Sequence, residues 1–225
     1  METNLVCHIV LDISGSMRYG QGHEQKILAA ARLAAVLGYA VLRQNDKVAL
    51  ATVDQEVRHY LPPSDSLAQM VRITELLDDV TTTKKTSLGP SLNDLAARFG
   101  RREIVLIMSD FFCDLAELES AVQRLRYQQH EVVLFQILHE DEWQFELSGL
   151  TQFVGCESAD SLVADPDELR SRYLEAVRKL AQDVRAISER NRGEYVFVNT
   201  RNDFGELLAD YLQRRQHVNR GPVTR

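Results

Sequence analysis

The chain has 225 residues, 44% of them hydrophobic, enough to bury the core of one well-packed domain. Its 33 Asp and Glu outnumber 26 Lys and Arg, for a formal charge of -7, and such a surface repels a phosphate backbone, which argues against nucleic acid as a ligand. Three cysteines, Cys7, Cys113 and Cys156, are far apart and odd in number, which argues against a disulfide framework or zinc site and fits a reducing cytoplasm.

Leu5 to Leu11 (LVCHIVL) predicts a first strand, which runs into the polar loop Asp12, Ile13, Ser14, Gly15, Ser16. Glu24 to Arg43 is Ala-rich and, past Lys26, nearly apolar around its circumference, so it is expected to be the most buried helix. Lys47 to Val53 (KVALATV) and Glu56 to Leu61 (EVRHYL) read as strands with only Asp54 and Gln55 between them. That spacing suits a tight hairpin and one antiparallel edge strand. Leu67, Met70, Val71, Thr74 and Leu77 step by three or four and predict a helix packed by that face. Thr86, Ser87, Leu88, Gly89 and Pro90 open a further helix, and Glu103 to Met108 (EIVLIM) is a strand leading into Ser109 and Asp110.

Leu115, Leu118, Val122 and Leu125 mark the next helix, for which Asp114 and Glu117 form a capping-box-like start. Glu131 to Leu138 (EVVLFQIL) and Glu194 to Val198 (EYVFV) are strands. Between them, Leu150 to Asp165 has no helical period and is expected to be a small β excursion on an edge. Leu169, Tyr173, Val177, Leu180, Val184 and Ile187 line one face of a helix starting after Pro166. The tail with Arg214, Arg215, Arg220 and Arg225 reads as a solvated terminus. This alternation predicts an α/β fold with a mostly parallel sheet of about six strands and helices on both faces. No apolar run approaches the roughly 20 residues that span a bilayer, and a secretory signal pattern is absent.

In an open α/β sheet, ligands bind beyond the carboxyl ends of the strands. Asp12, Ser14 and Ser16 stand at that position as Asp-x-Ser-x-Ser, offering one carboxylate and two hydroxyls, a hard-oxygen set suited to Mg²⁺ or Mn²⁺. A loop of this composition also serves as an ordinary helix cap. Asp110, after a second strand, and Thr86, at the start of a helix, add two oxygen-bearing loops at the same end.

These residues resemble the metal-ion-dependent adhesion site of von Willebrand factor A domains. The resemblance implies a Rossmann-like fold across 1–215, with 216–225 a flexible tail. It implies that Ser14 and Ser16 ligate directly, that Thr86 ligates directly or through water, and that Asp12 and Asp110 do either. Water or an acidic side chain of a partner then fills the remaining coordination position. Thr81, Thr82 and Thr83 are rivals for the role of Thr86. Ser109, Asp110, Phe111, Phe112 replaces the frequent Thr-Asp-Gly of these domains. That run, together with Thr86 to Pro90 and the segment from Gly149, Leu150 and Thr151 to Asp165 and Pro166, is similar to bacterial proteins of domain-of-unknown-function family fifty-eight. That likeness implies association with a MoxR-type AAA+ ATPase, and that the chain is the C-terminal part of a longer protein. Lys84 and Lys85 are candidates to steer an acidic partner, or are merely solvated. Phe111 and Phe112 are candidates for partner contact, with core anchoring expected for at least one.

Enzyme readings find less support. A haloacid-dehalogenase-like phosphatase needs a second Asp where Ser14 stands, and Gly-x-Ser-x-Gly, a P-loop and a dinucleotide fingerprint are all missing. The six histidines are scattered without metal-ligand spacing. A metal-dependent hydrolase at the same site is the alternative to a binding module, and needs a positioned base or nucleophile. A purely structural α/β scaffold is the third possibility.

Overall fold

A computed structural model describes residues 5–82, 87–156, 160–202 and 205. A six-stranded sheet runs in the order β3-β2-β1-β4-β5-β8, built from β1 (Val6–Asp12), β2 (Lys47–Val53), β3 (Val57–Ser64), β4 (Ile104–Ser109), β5 (Glu131–Leu138) and β8 (Glu194–Asn199). All pairings are parallel except β2 with β3, which are antiparallel across the Asp54 turn and leave β3 at an edge. The expected α/β architecture, including its antiparallel edge strand, is what forms. The segment without helical period is the two-stranded β6 (Thr151–Val154) and β7 (Ser161–Ala164), which pair with each other and not with the main sheet.

Helices cover both faces, as the near-continuous apolar strands require. On one face α1 (Lys26–Arg43) and α2 (Ala68–Asp78) pack on Ile9, Leu11, Leu50, Leu106 and Phe135. On the other, α3 (Leu88–Ala96), α4 (Leu115–Tyr127) and α6 (Pro166–Arg190) enclose Val10, Ala51, Val105, Ile107 and Leu134. A short α5 (Glu140–Gln144) follows β5. Among the described residues, no helix is long and apolar enough to cross a membrane, and Cys113 and Cys156 are free thiols.

Two helix faces differ from the sequence reading. In α2 the buried side chains are Gln69, Ile73 and Leu77, while Leu67 and Val71 are exposed. Gln69 turns inward because its amide donates to the carbonyls of Val48 (3.1 Å) and Pro62 (2.8 Å), beside the register shift between Val48 and Leu50. A buried strand carbonyl freed by an irregularity needs a donor, and that need sets the orientation of the helix. In α1, Leu28, Val36 and Tyr39 are 42–49% exposed, so apolar composition does not enclose the whole circumference. Instead the helix buries Lys26 completely.

Candidate metal site at the sheet's carboxyl edge

Asp12 ends β1, and Asp110 follows β4, the strand hydrogen-bonded beside it. Parallel pairing therefore brings the two carboxyl groups to one end of the sheet, where both are 1% exposed. Asp12 is spanned by two loops: its Oδ1 accepts from the Ser14 amide at 2.8 Å and its Oδ2 from the Ser109 hydroxyl at 2.5 Å. The Ser14 and Ser16 hydroxyls lie 3.1 Å apart, with Ser14 buried and Ser16 half-buried. Burial, and then the neighbouring Asp110 carboxylate, push the Asp12 carboxyl up to about 7.

Asp110 is held on three sides. Its Oδ1 accepts from the Phe112 amide at 3.1 Å, its backbone carbonyl from the Gln136 amide at 3.1 Å, and its Oδ2 from the Lys26 ammonium at 2.8 Å. Gln136 on β5 is itself fixed by the Tyr195 hydroxyl of β8 at 2.7 Å. Lys26 also donates to Glu142 Oε1 at 2.7 Å. Glu142 closes the capping box of α5, accepting from the His139 amide at 2.9 Å. Burial opposes the Lys26 charge, yet the Asp110 and Glu142 carboxylates outweigh it and raise the ammonium above the ordinary lysine range. Burial raises Glu142, against the pull of Lys26. The Phe112 ring covers the ammonium at 5.1 Å, and the Tyr19 ring stands 5.9 Å away.

The sequence-derived site is thus assembled in part. Asp12, Ser14, Ser16 and Asp110 come from two loops that meet. Thr86, Lys84 and Lys85, with the rival Thr83, lie outside the described residues. Phe111 is corrected as a contact residue: it is fully buried, in the core with Leu88, Leu118 and Val122. Phe112 is 37% exposed and shields Lys26. Phe111 adopts φ 58°, a left-handed conformation easy for glycine and unfavourable for a bulky side chain. The burial of the Phe111 ring offsets that backbone cost.

Lys26 and Glu142 were missed. One signal was available for Lys26: a cation in the first turn of a helix faces the positive end of the helix dipole, so an isolated Lys opening an otherwise apolar helix implies nearby carboxylates. For Glu142 there was none, since it lies 116 residues from Lys26. Among the described residues, no group of three His, Cys, Asp or Glu side chains is arranged to hold a metal ion. The candidate donors are instead two carboxylates and hydroxyls.

Residues 1–183 match the family described as Protein of unknown function DUF58. The chain belongs to this family. Among solved structures, the chain is similar to the conserved hypothetical protein BatB from Bacteroides thetaiotaomicron, at 16% identity and TM-score 0.63, over 96% of this chain and 99% of that one. It is also similar to the SpRpn10 VWA domain (12% identity, TM-score 0.52, 94% and 95% of the two chains). A third is the vWF domain of the type V pili tip protein Mfa5 from Porphyromonas gingivalis (12%, 0.50, 98% of each chain). These similarities establish a von Willebrand factor A-like fold in this DUF58 protein. The curated proteins yield no match.

Proposed function

We propose that this domain is a protein-interaction module that binds an acidic side chain of its partner through a divalent cation, Mg²⁺ or Mn²⁺. One observation carries the reading: two buried carboxyl groups, Asp12 and Asp110, lie beside each other at the carboxyl edge of the sheet next to the paired hydroxyls of Ser14 and Ser16. With Glu142, the cluster holds three carboxyl groups and one ammonium, Lys26, which is paired with Asp110 and Glu142. When all are ionised the cluster has two negative charges in excess, and oxygens of this kind suit a hard divalent ion. The residues present therefore fit the ion. Asp12, Ser14, Ser16 and Asp110 would hold it, joined by Thr86 from the loop before α3. Bound there, the cation would supply the charge this cluster lacks and a position open to a carboxylate.

The chain's own part is to orient these oxygens. Ser109 and the Ser14 amide hold Asp12, while Gln136, the Phe112 amide and Lys26 hold Asp110. Lys84 and Lys85 are placed in sequence to attract an acidic surface, and Phe112 offers an apolar contact beside the site. A MoxR-type AAA+ ATPase is the proposed partner, and an adaptor acting in the cytoplasm the proposed role. A metal-dependent hydrolase using the same oxygens would need a free base. Lys26 and Glu142, which stand closest to that role, are bound to each other and buried.

Titration calorimetry with a candidate ATPase, in Mg²⁺, in EDTA and with Asp12→Ala, tests the proposal. Binding in Mg²⁺ that is lost in the other two arms is the expected result, and linkage requires partner and metal to raise each other's affinity by the same factor. Equal affinity in all three arms would place the partner on another surface. Phosphate-ester turnover by the pure protein, abolished in Asp12→Ala, would favour the hydrolase.

A further inference from the structure

Lys26 is among the largest fully buried side chains of the described residues, and it sits inside the proposed site. Its ammonium is 2.8 Å from Asp110 Oδ2 and 2.7 Å from Glu142 Oε1, under the ring of Phe112. A lysine enclosed in this way is costly unless its partners are charged and well placed, and here both are. The other Asp110 oxygen already accepts from the Phe112 amide, so the chain engages the whole carboxylate without any added ion. We infer that Lys26 is a resident cation of the site, which neutralises Asp110 from within the fold and competes with a divalent ion for that carboxylate. This inference rests on the proposed metal-dependent reading and assigns the feature that sets its affinity.

The physical argument is one of charge. A divalent ion approaching Asp110 meets a carboxylate whose Oδ2 is already shared, and an ammonium held against that oxygen in a low-dielectric surrounding, where like charges repel far more strongly than in water. Lys26 thereby keeps the cluster folded without metal and keeps metal affinity low, so that the carboxylate of an incoming partner is needed to complete binding. Glu142 modulates the balance. By drawing on the same ammonium it relieves Asp110 of part of the competition and adds negative charge, so its neutralisation must act opposite to loss of Lys26.

Mn²⁺ titration of the full chain, followed by calorimetry and by the electron spin resonance of free Mn²⁺, tests this. Wild type, Lys26→Met, Glu142→Gln and the double variant Lys26→Met/Asp110→Asn are compared, together with thermal midpoints in EDTA. Lys26→Met is expected to melt lower in EDTA and to bind Mn²⁺ on the order of tenfold more tightly or better. Glu142→Gln should bind several-fold more weakly than wild type, and the double variant should lose the gain. A purely structural Lys26 would instead weaken or leave unchanged Mn²⁺ binding in both single variants, and either result overturns the inference. If Lys26→Met does not fold, Glu142→Gln decides: weaker Mn²⁺ binding with an unchanged thermal midpoint in EDTA supports the inference, and any other result overturns it. Wild type that binds no Mn²⁺ alone while Lys26→Met does would uphold the resident cation, and the metal-dependent function then fails if partner binding is also unchanged by EDTA. Absence of binding in every chain would sink both.

Discussion

Phe111 shows at single-residue scale how a local conflict is resolved by packing. Its left-handed backbone costs about 1–2 kcal/mol in a residue with a Cβ, and its buried ring compensates. Phe111→Ala should therefore destabilise by about 3–5 kcal/mol, the range for deleting a buried Phe side chain. Phe111→Gly should lose no more than Ala, reversing the usual order in which Gly is worse, because Gly adopts this conformation freely. Denaturant midpoints of the two variants decide it: a glycine variant less stable than the alanine variant by 0.5 kcal/mol or more, a margin on the order of the usual Ala-to-Gly penalty, would mean the backbone is unstrained. Phe112, identical in type and adjacent, is 37% exposed, so the same residue twice in sequence has two different tasks.

Elements are placed by close approaches that sequence periodicity does not encode. At Gly89 in α3, an added Cβ would lie 2.6 Å from Glu117 Cβ and 2.9 Å from its carbonyl carbon in α4. Two helices in direct backbone approach cannot yield to a methyl group by rotating a side chain. Gly89→Ala is therefore expected to cost about 1–3 kcal/mol as overpacking, despite the better helix propensity of Ala. Urea denaturation measures it, and an unchanged or raised midpoint would mean that α3 shifts without penalty. The start of α3 is fastened to the sheet by the Ser87 amide and the Ser91 hydroxyl, both donating to the Asp54 carbonyl at 3.2 Å. Displacement at Gly89 should thus also weaken Mg²⁺ binding, if Thr86 ligates as proposed.

Across the whole molecule, the end of the sheet away from Asp12 carries a different buried polar group. His8 donates or accepts at 2.8 Å with Glu103, stacks on Phe99 at 3.8 Å, and lies near His130. Burial is the leading cause that lowers both histidines below their ordinary value of 6.5, against the influence of Glu103. The unfolded chain then binds more protons than the folded one below about that pH, so stability is complete above it and falls as pH drops towards the folded values. Chemical denaturation at pH 7.5 and pH 5.5 should show a loss on acidification that is smaller in His8→Leu. Equal losses in the two proteins would mean that His8 does not contribute to the pH dependence.

Much of this protein was determined by sequence alone. Apolar runs of strand length alternating with helical stripes specified the parallel sheet, because strands buried on both faces must be apolar throughout. The lack of period in Leu150 to Asp165 marked the β6 and β7 excursion. The common placement of Asp12, Ser14, Ser16 and Asp110 was legible because they end or directly follow two strands that parallel pairing sets side by side. Tertiary structure alone decided which polar groups face inward. Gln69 turns into the core for a strand carbonyl, Phe111 is enclosed where Phe112 is not, and Lys26 meets Asp110 and Glu142 from 84 and 116 residues away. Periodicity reports the average environment of a face. The pairing of one buried charge with another depends on where two distant backbones end, and only the folded chain settles that.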